Sequence, residues 1–156
     1  MASQDAVLRR LLDEAVAKVC AAEGSILLLS EDGTSLRFVV STSRVADKLR
    51  GLAQPLNKGI TGLSVSLQQP MIVNHTAESS AFDPSVDAET GLKTESIMVV
   101  PLVTPEQEFG ALTAINSTAI SGFGTHDLER YSEFAEQIAR RLSNLGFETK
   151  DAGSFR

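Results

Sequence analysis

The chain has 156 residues, 42% hydrophobic and 22% charged, which suits a single globular domain whose core needs no disulfide or metal staple. Its net charge of −6, spread without long like-charge runs, excludes a basic nucleic-acid surface, because phosphate contacts need clustered Lys and Arg. A single cysteine, Cys20, excludes an internal disulfide framework and favours a cytoplasmic setting, and neither apolar run, 26–29 or 97–103, is long enough to span a bilayer.

The first residues carry no basic head or apolar stretch, so no signal peptide is expected. Leu8, Leu11, Leu12, Ala15 and Val19 recur at helical spacing and predict an amphipathic helix over 5–22, ended by Gly24. An apolar strand follows over 25–30, then a hairpin turn at Asp32-Gly33 and a returning strand over 36–41. A short helix is predicted over 44–51. Asn57-Lys58-Gly59 breaks the chain before a second short helix carrying Ile60, Leu63 and Leu67 on one face, which Pro70 stops.

Met71, Ile72 and Val73 read as a short strand. Residues 74–94 are polar, with Pro84 and Gly91 and no regular period, and a loop this long within a domain is functional or mobile. The most apolar stretch, 96–103, predicts a central strand that pairs through a turn over 104–108 with a strand over 109–115. A long helix is predicted over 126–145, striped by Leu128, Tyr131, Phe134, Ala135, Ile138, Leu142 and Leu145. One domain over 1–147 and a frayed polar tail over 148–156 complete the reading. This order gives an α+β fold with a mostly antiparallel sheet and the two terminal helices side by side on it.

Several residues allow two readings. Gly59 and Gly62 suit either a tight turn or an anion site at a helix start. Asp87 suits a helix cap or a ligand carboxylate, and Thr90 and Thr94, four apart, suit one side of a helical turn. Cys20 reads as a buried, inert thiol. His75 and His126 lack a second His or Cys at ligand spacing, so no metal is expected. No Ser-His-Asp constellation is present, and no catalytic residue is assigned.

The order of elements, with Gly24-Ser25, Gly59-Ile60-Thr61-Gly62 and Ala114-Ile115-Asn116 at their junctions, resembles the GAF domain family. Phe82 to Asp87, Thr90 to Thr94 and Ser96 to Leu102 are similar to the lid region of the GAF domains in cyclic-nucleotide phosphodiesterases and bacterial adenylate cyclases. The resemblance implies a central sheet of five to six strands, terminal helices on one face and a ligand-covering segment on the other. It implies ligand contacts at Ser25, Ile60, Thr61, Asp83, Asp87, Thr90, Thr94 and Thr113, with a cyclic nucleotide as the regulatory ligand and no other cofactor. The chain departs from the family at Ser117, Leu128 and Thr113, where those members carry Lys, Glu and a purine-facing Glu.

The implied function is ligand sensing in a bacterial signalling protein, passed through the terminal helices to an output domain, with no membrane or nucleic-acid partner. A homodimer is expected through the stripes at Leu8, Leu12, Ala15 and at Ile138, Leu142, Leu145. The alternative is a ligand-free dimerisation or docking module, in which Phe38, Phe82 and Leu92 fill the space beneath the lid.

Overall fold

The computed structural model describes residues 5–146, so the tail expected over 148–156 lies outside the described residues. The elements run helix α1 (Ala6–Lys18), strands β1 (Ala21–Leu29) and β2 (Ser35–Ser41), helix α2 (Ala46–Leu49), strand β3 (Ala53–Pro55) and helix α3 (Gly59–Leu67). Strand β4 (Met71–Val73), helix α4 (Ser85–Thr90), strands β5 (Ile97–Thr104) and β6 (Gln107–Ser117) and helix α5 (Thr125–Asn144) follow. The strands form one sheet in the order β3-β2-β1-β6-β5-β4, every pairing antiparallel. The α+β plan and the side-by-side terminal helices are as the sequence predicts.

Strand alternation divides the apolar residues between two layers. Ile26 and Leu28 of β1, Met98 and Val100 of β5, and Leu112 and Ala114 of β6 pack under α1 and α5. Leu27 and Leu29, Ile97 and Val99, and Ala111 and Ile115 face the opposite side, toward α2, α3 and α4. By the same alternation Ser25 and Thr113 point to that second layer, where they interrupt the apolar rows.

The dimer stripes resolve differently from expectation. Leu8, Leu12, Ala15, Ile138 and Leu142 are fully buried within this one chain, where α1 and α5 close on each other and on the sheet. Leu145 alone of those residues reaches the surface. The outward faces carry Arg9–Asp13, Arg10–Glu14 and Glu136–Arg140 pairs one helical turn apart, the pattern of a solvated face.

Three local differences have physical causes. Helix α1 ends at Lys18, because Cys20 takes a left-handed φ of 52° and Ala21 onward pairs with β6. Ladder hydrogen bonds there outweigh the helix propensity of Ala21 and Ala22, so Gly24 lies inside a strand and Cys20 is exposed. Strand β3 is a three-residue edge ending in Pro55, too short to leave a period. Residues 74–94 are not irregular throughout, since a 3-10 turn (Thr76–Glu78) and α4 lie within them. Among the described residues no helix is long and apolar enough to cross a membrane.

Asp5 ties the two terminal helices at the N-terminal end of α1. Its carboxylate accepts the Leu8 amide at 2.9 Å as an N-cap, and the Arg141 guanidinium at 3.2 and 2.7 Å. The Arg141 hydrogen bond, then the Leu8 amide, hold the Asp5 carboxyl below its ordinary value against the opposing effect of desolvation. A carboxyl depressed in the folded state stabilises the fold above the ordinary carboxylate range, and that contribution disappears as pH falls through the depressed value. Asp5→Asn keeps a capping acceptor and removes the charge. Its thermal midpoint should lie below the wild type's at neutral pH, and the two should converge as acid protonates Asp5. Midpoints that run parallel across the acid range would contradict the tie.

Candidate functional site: a cavity between the sheet and α4

Ser25 of β1 and Thr113 of β6 supply hydroxyls to the floor, in a row that continues to Ser41 outside the cavity. Thr113 of β6 sits opposite Ser25 of β1, which sits opposite Ser41 of β2. The Ser25 hydroxyl donates to Ser41 Oγ at 2.9 Å, and Ser41 Oγ also accepts the Ser43 amide at 3.1 Å. Helix α3 brings Ile60 and Thr61 to one side, and the segment around α4 brings Phe82, Asp83, Val86, Asp87, Leu92 and Thr94 over the top. Phe38, Ile97 and Ile115 supply further apolar wall. The space between them is ≈ 70 Å³. That holds several waters, yet falls short of the roughly 300 Å³ at the low end of small-molecule pockets. A nucleotide-sized guest therefore requires the cover to move outward.

Seven of the eight expected contacts line this cavity: Ser25, Ile60, Thr61, Asp83, Asp87, Thr94 and Thr113. Thr90 does not. Helix α4 ends at Thr90, so Thr90 and Thr94 share no helical turn. The Thr90 hydroxyl instead donates to Val86 O at 2.7 Å, which closes the helix. Phe38, Phe82 and Leu92 line the space without filling it.

The two lid acids hold the cover together. Asp87 accepts both the amide and the hydroxyl of Thr94, at 2.7 and 2.8 Å. Asp83 accepts the Ser85 amide at 3.0 Å and the Ser85 hydroxyl at 2.6 Å, opening α4. Those hydrogen bonds, hydroxyl first, and more weakly the Lys58 charge hold the Asp83 carboxyl below its ordinary value. Asp87→Ala removes both bonds to Thr94, one of them charge-assisted to an amide. Hydrogen exchange over residues 85–94 should quicken by an amount equivalent to about 1–3 kcal/mol of local opening, while the core amides keep their protection. Unchanged exchange in that segment would show that the Asp87–Thr94 pair does not hold the cover.

The glycines at α3 have structural reasons. Gly59 adopts φ +80°, and a side chain on Gly62 would meet Leu56 O at 2.5 Å. Asn116 and Asp127 act as fold-holding groups. Asn116 accepts the Glu95 and Ser96 amides at 2.7 and 3.2 Å and donates to Lys93 O, while Asp127 accepts the Gly124 amide at 2.8 Å. Asn74 likewise grips Phe123 through both its amide and its carbonyl.

Sequence reasoning missed Glu23, Ser43, Gln54 and Lys58, which also line the cavity. Glu23 and Ser25 are i and i+2 on one face of β1, a relation hidden while 21–24 are read as the end of a helix. Gln54 lies on β3, which left no signal of its own.

An antiparallel sheet with paired terminal helices on one face and a covered cavity on the other defines a sensory-domain architecture. The chain belongs to the GAF domain family, whose model matches residues 1–143. It is thus a regulatory module of the kind found in signalling proteins. It is 27% identical over 118 residues to the mouse (Mus musculus) cone cGMP-specific 3',5'-cyclic phosphodiesterase subunit alpha', covering 73% of this chain and 14% of that one. The chain therefore spans about one seventh of that relative's length. Its fold matches the second GAF domain of DevS from Mycobacterium smegmatis, with TM-score 0.72, 18% identity and coverage of 90% and 93% of the two chains. It also matches residues 122 to 287 of a methyl-accepting chemotaxis protein, with TM-score 0.76, 19% identity and coverage of 90% and 88%.

Proposed function

We propose that this chain is the small-ligand-sensing domain of a longer signalling protein, binding its ligand between the sheet and α4 and passing the change through α1 and α5 to an output domain. The carrying observation is the cavity, which has apolar walls, a hydroxyl floor and a cover hinged on short polar contacts. Closure of that cover on a guest would shift the population of two cover positions. Helices α1 and α5 pack on the reverse of the same strands, so a change at β1 and β6 reaches them directly. The ligand class to begin from is a nucleobase-bearing molecule, a cyclic nucleotide or a similar small compound, because a relative of this domain is named for cGMP.

Thermal unfolding against cyclic mono- and dinucleotides tests the reading. A ligand at a hundredfold excess over its dissociation constant adds about 2.7 kcal/mol of stability. Thr113→Val is a cleaner control than Asp87→Ala, since Asp87 also holds the cover. A midpoint shift that weakens in Thr113→Val supports the reading. A shift identical in both proteins would place binding elsewhere.

The smallness of the cavity favours one alternative, a docking module whose cover stays shut without a ligand. That reading expects no midpoint shift with any small molecule.

A further inference from the structure

The cavity lining specifies a ligand chemistry, an inference that rests on the ligand-binding reading above. Ser25, Ser43, Thr61 and Thr113 line the cavity, each no more than 8% exposed. The first two are engaged within the fold, Ser25 with Ser41 and Ser43 with the Val45 amide. Thr61 and Thr113 differ: among the described residues neither hydroxyl has a hydrogen-bond partner. No fully enclosed side-chain polar atom is left unsatisfied among those residues. Neither hydroxyl is therefore fully enclosed, and in residues that line the cavity each can donate or accept.

The charged groups point away from an anion. Glu23, Asp83 and Asp87 line the cavity against one cation, Lys58. Asp87 and Asp83 are occupied by Thr94 and Ser85, whereas the Glu23 carboxylate makes no hydrogen bond or ion pair among the described residues. The start of α3 could otherwise attract a phosphate. Asp83 stands against it, its Cβ 3.3 Å from where a side chain on Gly59 would begin. An entering phosphate meets the like charge of Asp83 there.

We propose that the cavity takes a flat, amine-bearing nitrogen heterocycle without a phosphate. Phe38, Phe82 and Ile97 contact its ring, Thr61 and Thr113 bond its ring nitrogens or carbonyl, and Glu23 accepts from its amine. A free base is also closer than a nucleotide to the ≈ 70 Å³ available.

Calorimetric titration of the whole chain with adenine, guanine, cytosine, their 3',5'-cyclic nucleotides and inorganic phosphate tests this. At least one free base should bind, its cyclic nucleotide at least tenfold more weakly, and inorganic phosphate not at all. Thr113→Val should weaken that base by roughly five- to tenfold, and Glu23→Gln by about tenfold, as loss of one neutral and one charged hydrogen bond. A cyclic nucleotide that outbinds its base, with affinity lost in Thr113→Val, overturns the phosphate-free inference and leaves the sensing reading intact. Base binding unaffected by both substitutions overturns the assignment of the cavity. No binding by either class overturns the inference and the nucleobase reading together.

Discussion

Leu142→Asp should fail to fold. Leu142 is fully buried between α1, α5 and the sheet. Removing its side chain costs about 2–5 kcal/mol by the record of buried Leu truncations. A carboxylate in its place is set among the apolar residues of that layer and adds several kcal/mol of desolvation. The sum matches the roughly 5–15 kcal/mol that holds a domain of this size folded. Circular dichroism of the purified variant at 25 °C should show an unfolded chain, or the protein should be recovered only as aggregate. Leu145→Asp, one turn further along and at the surface, should fold with a change below about 1 kcal/mol. A dimer seam along this stripe would give a different result, a folded monomer in both cases. A folded, monomeric Leu142→Asp protein with an unchanged midpoint would contradict the packing described.

Gly24→Ala is the second substitution with a large expected effect. A methyl group at position 24 would stand 2.6 Å from Val16 Cγ2, 2.7 Å from the Tyr131 hydroxyl and 2.8 Å from Thr113 O. Real side chains do not approach so closely, so at least one neighbour must move. Tyr131 is fully buried, and its hydroxyl donates to Thr113 O at 2.6 Å; burial pushes its phenol upward, so it stays a donor. Displacing it forfeits that bond in addition to the strain. Overpacking costs about 1–3 kcal/mol and an orphaned buried polar group about 1–3 kcal/mol. Denaturant unfolding should therefore show a loss of roughly 3 kcal/mol or more. Tyr131→Phe removes one of the three clashes, so Gly24→Ala in that background should cost less than in the wild type. Equal losses in the two backgrounds would mean that Gly24 does not make room for the Tyr131 hydroxyl.

Gly24 also shows how far the sequence can be read. The Gly24-Ser25 pair marks the family by inspection, but its physical reason lies in Tyr131, more than a hundred residues away and on α5. The Asp32-Gly33 turn, the apolar run of β5 and the stripe of α5 are legible because each is a local pattern with one structural solution. A stripe does not say what it packs against. Leu8, Leu12, Ile138 and Leu142 would read the same in a dimer seam as in an intramolecular core. Three-residue β3 and six-residue α4 are shorter than the stretches over which a period can be read.

Ser25, Thr113 and the lid acids Asp83 and Asp87 were named through the family resemblance, and the structure brings them to one cavity. Thr90 was misplaced because spacing alone cannot show that α4 ends there. Glu23 was hidden by Ala21 and Ala22, good helix formers that the pairing with β6 draws into a strand. Which acid is free and which is occupied could not be read at all. That depends on hydrogen bonds such as Thr94 to Asp87, set by the path of the cover.

Methyl NMR during titration with the free bases tests most directly whether this cavity receives a ligand. Ile60, Thr61, Leu92, Ile97 and Thr113 report the cavity, and Leu8, Leu12, Ile138 and Leu142 report the opposite layer. A ligand in the cavity should move the first set in a saturable way and the second set much less, and Thr113→Val should weaken the response. A folded protein whose cavity methyls stay fixed throughout the titration would contradict the assignment and leave the docking module as the better description.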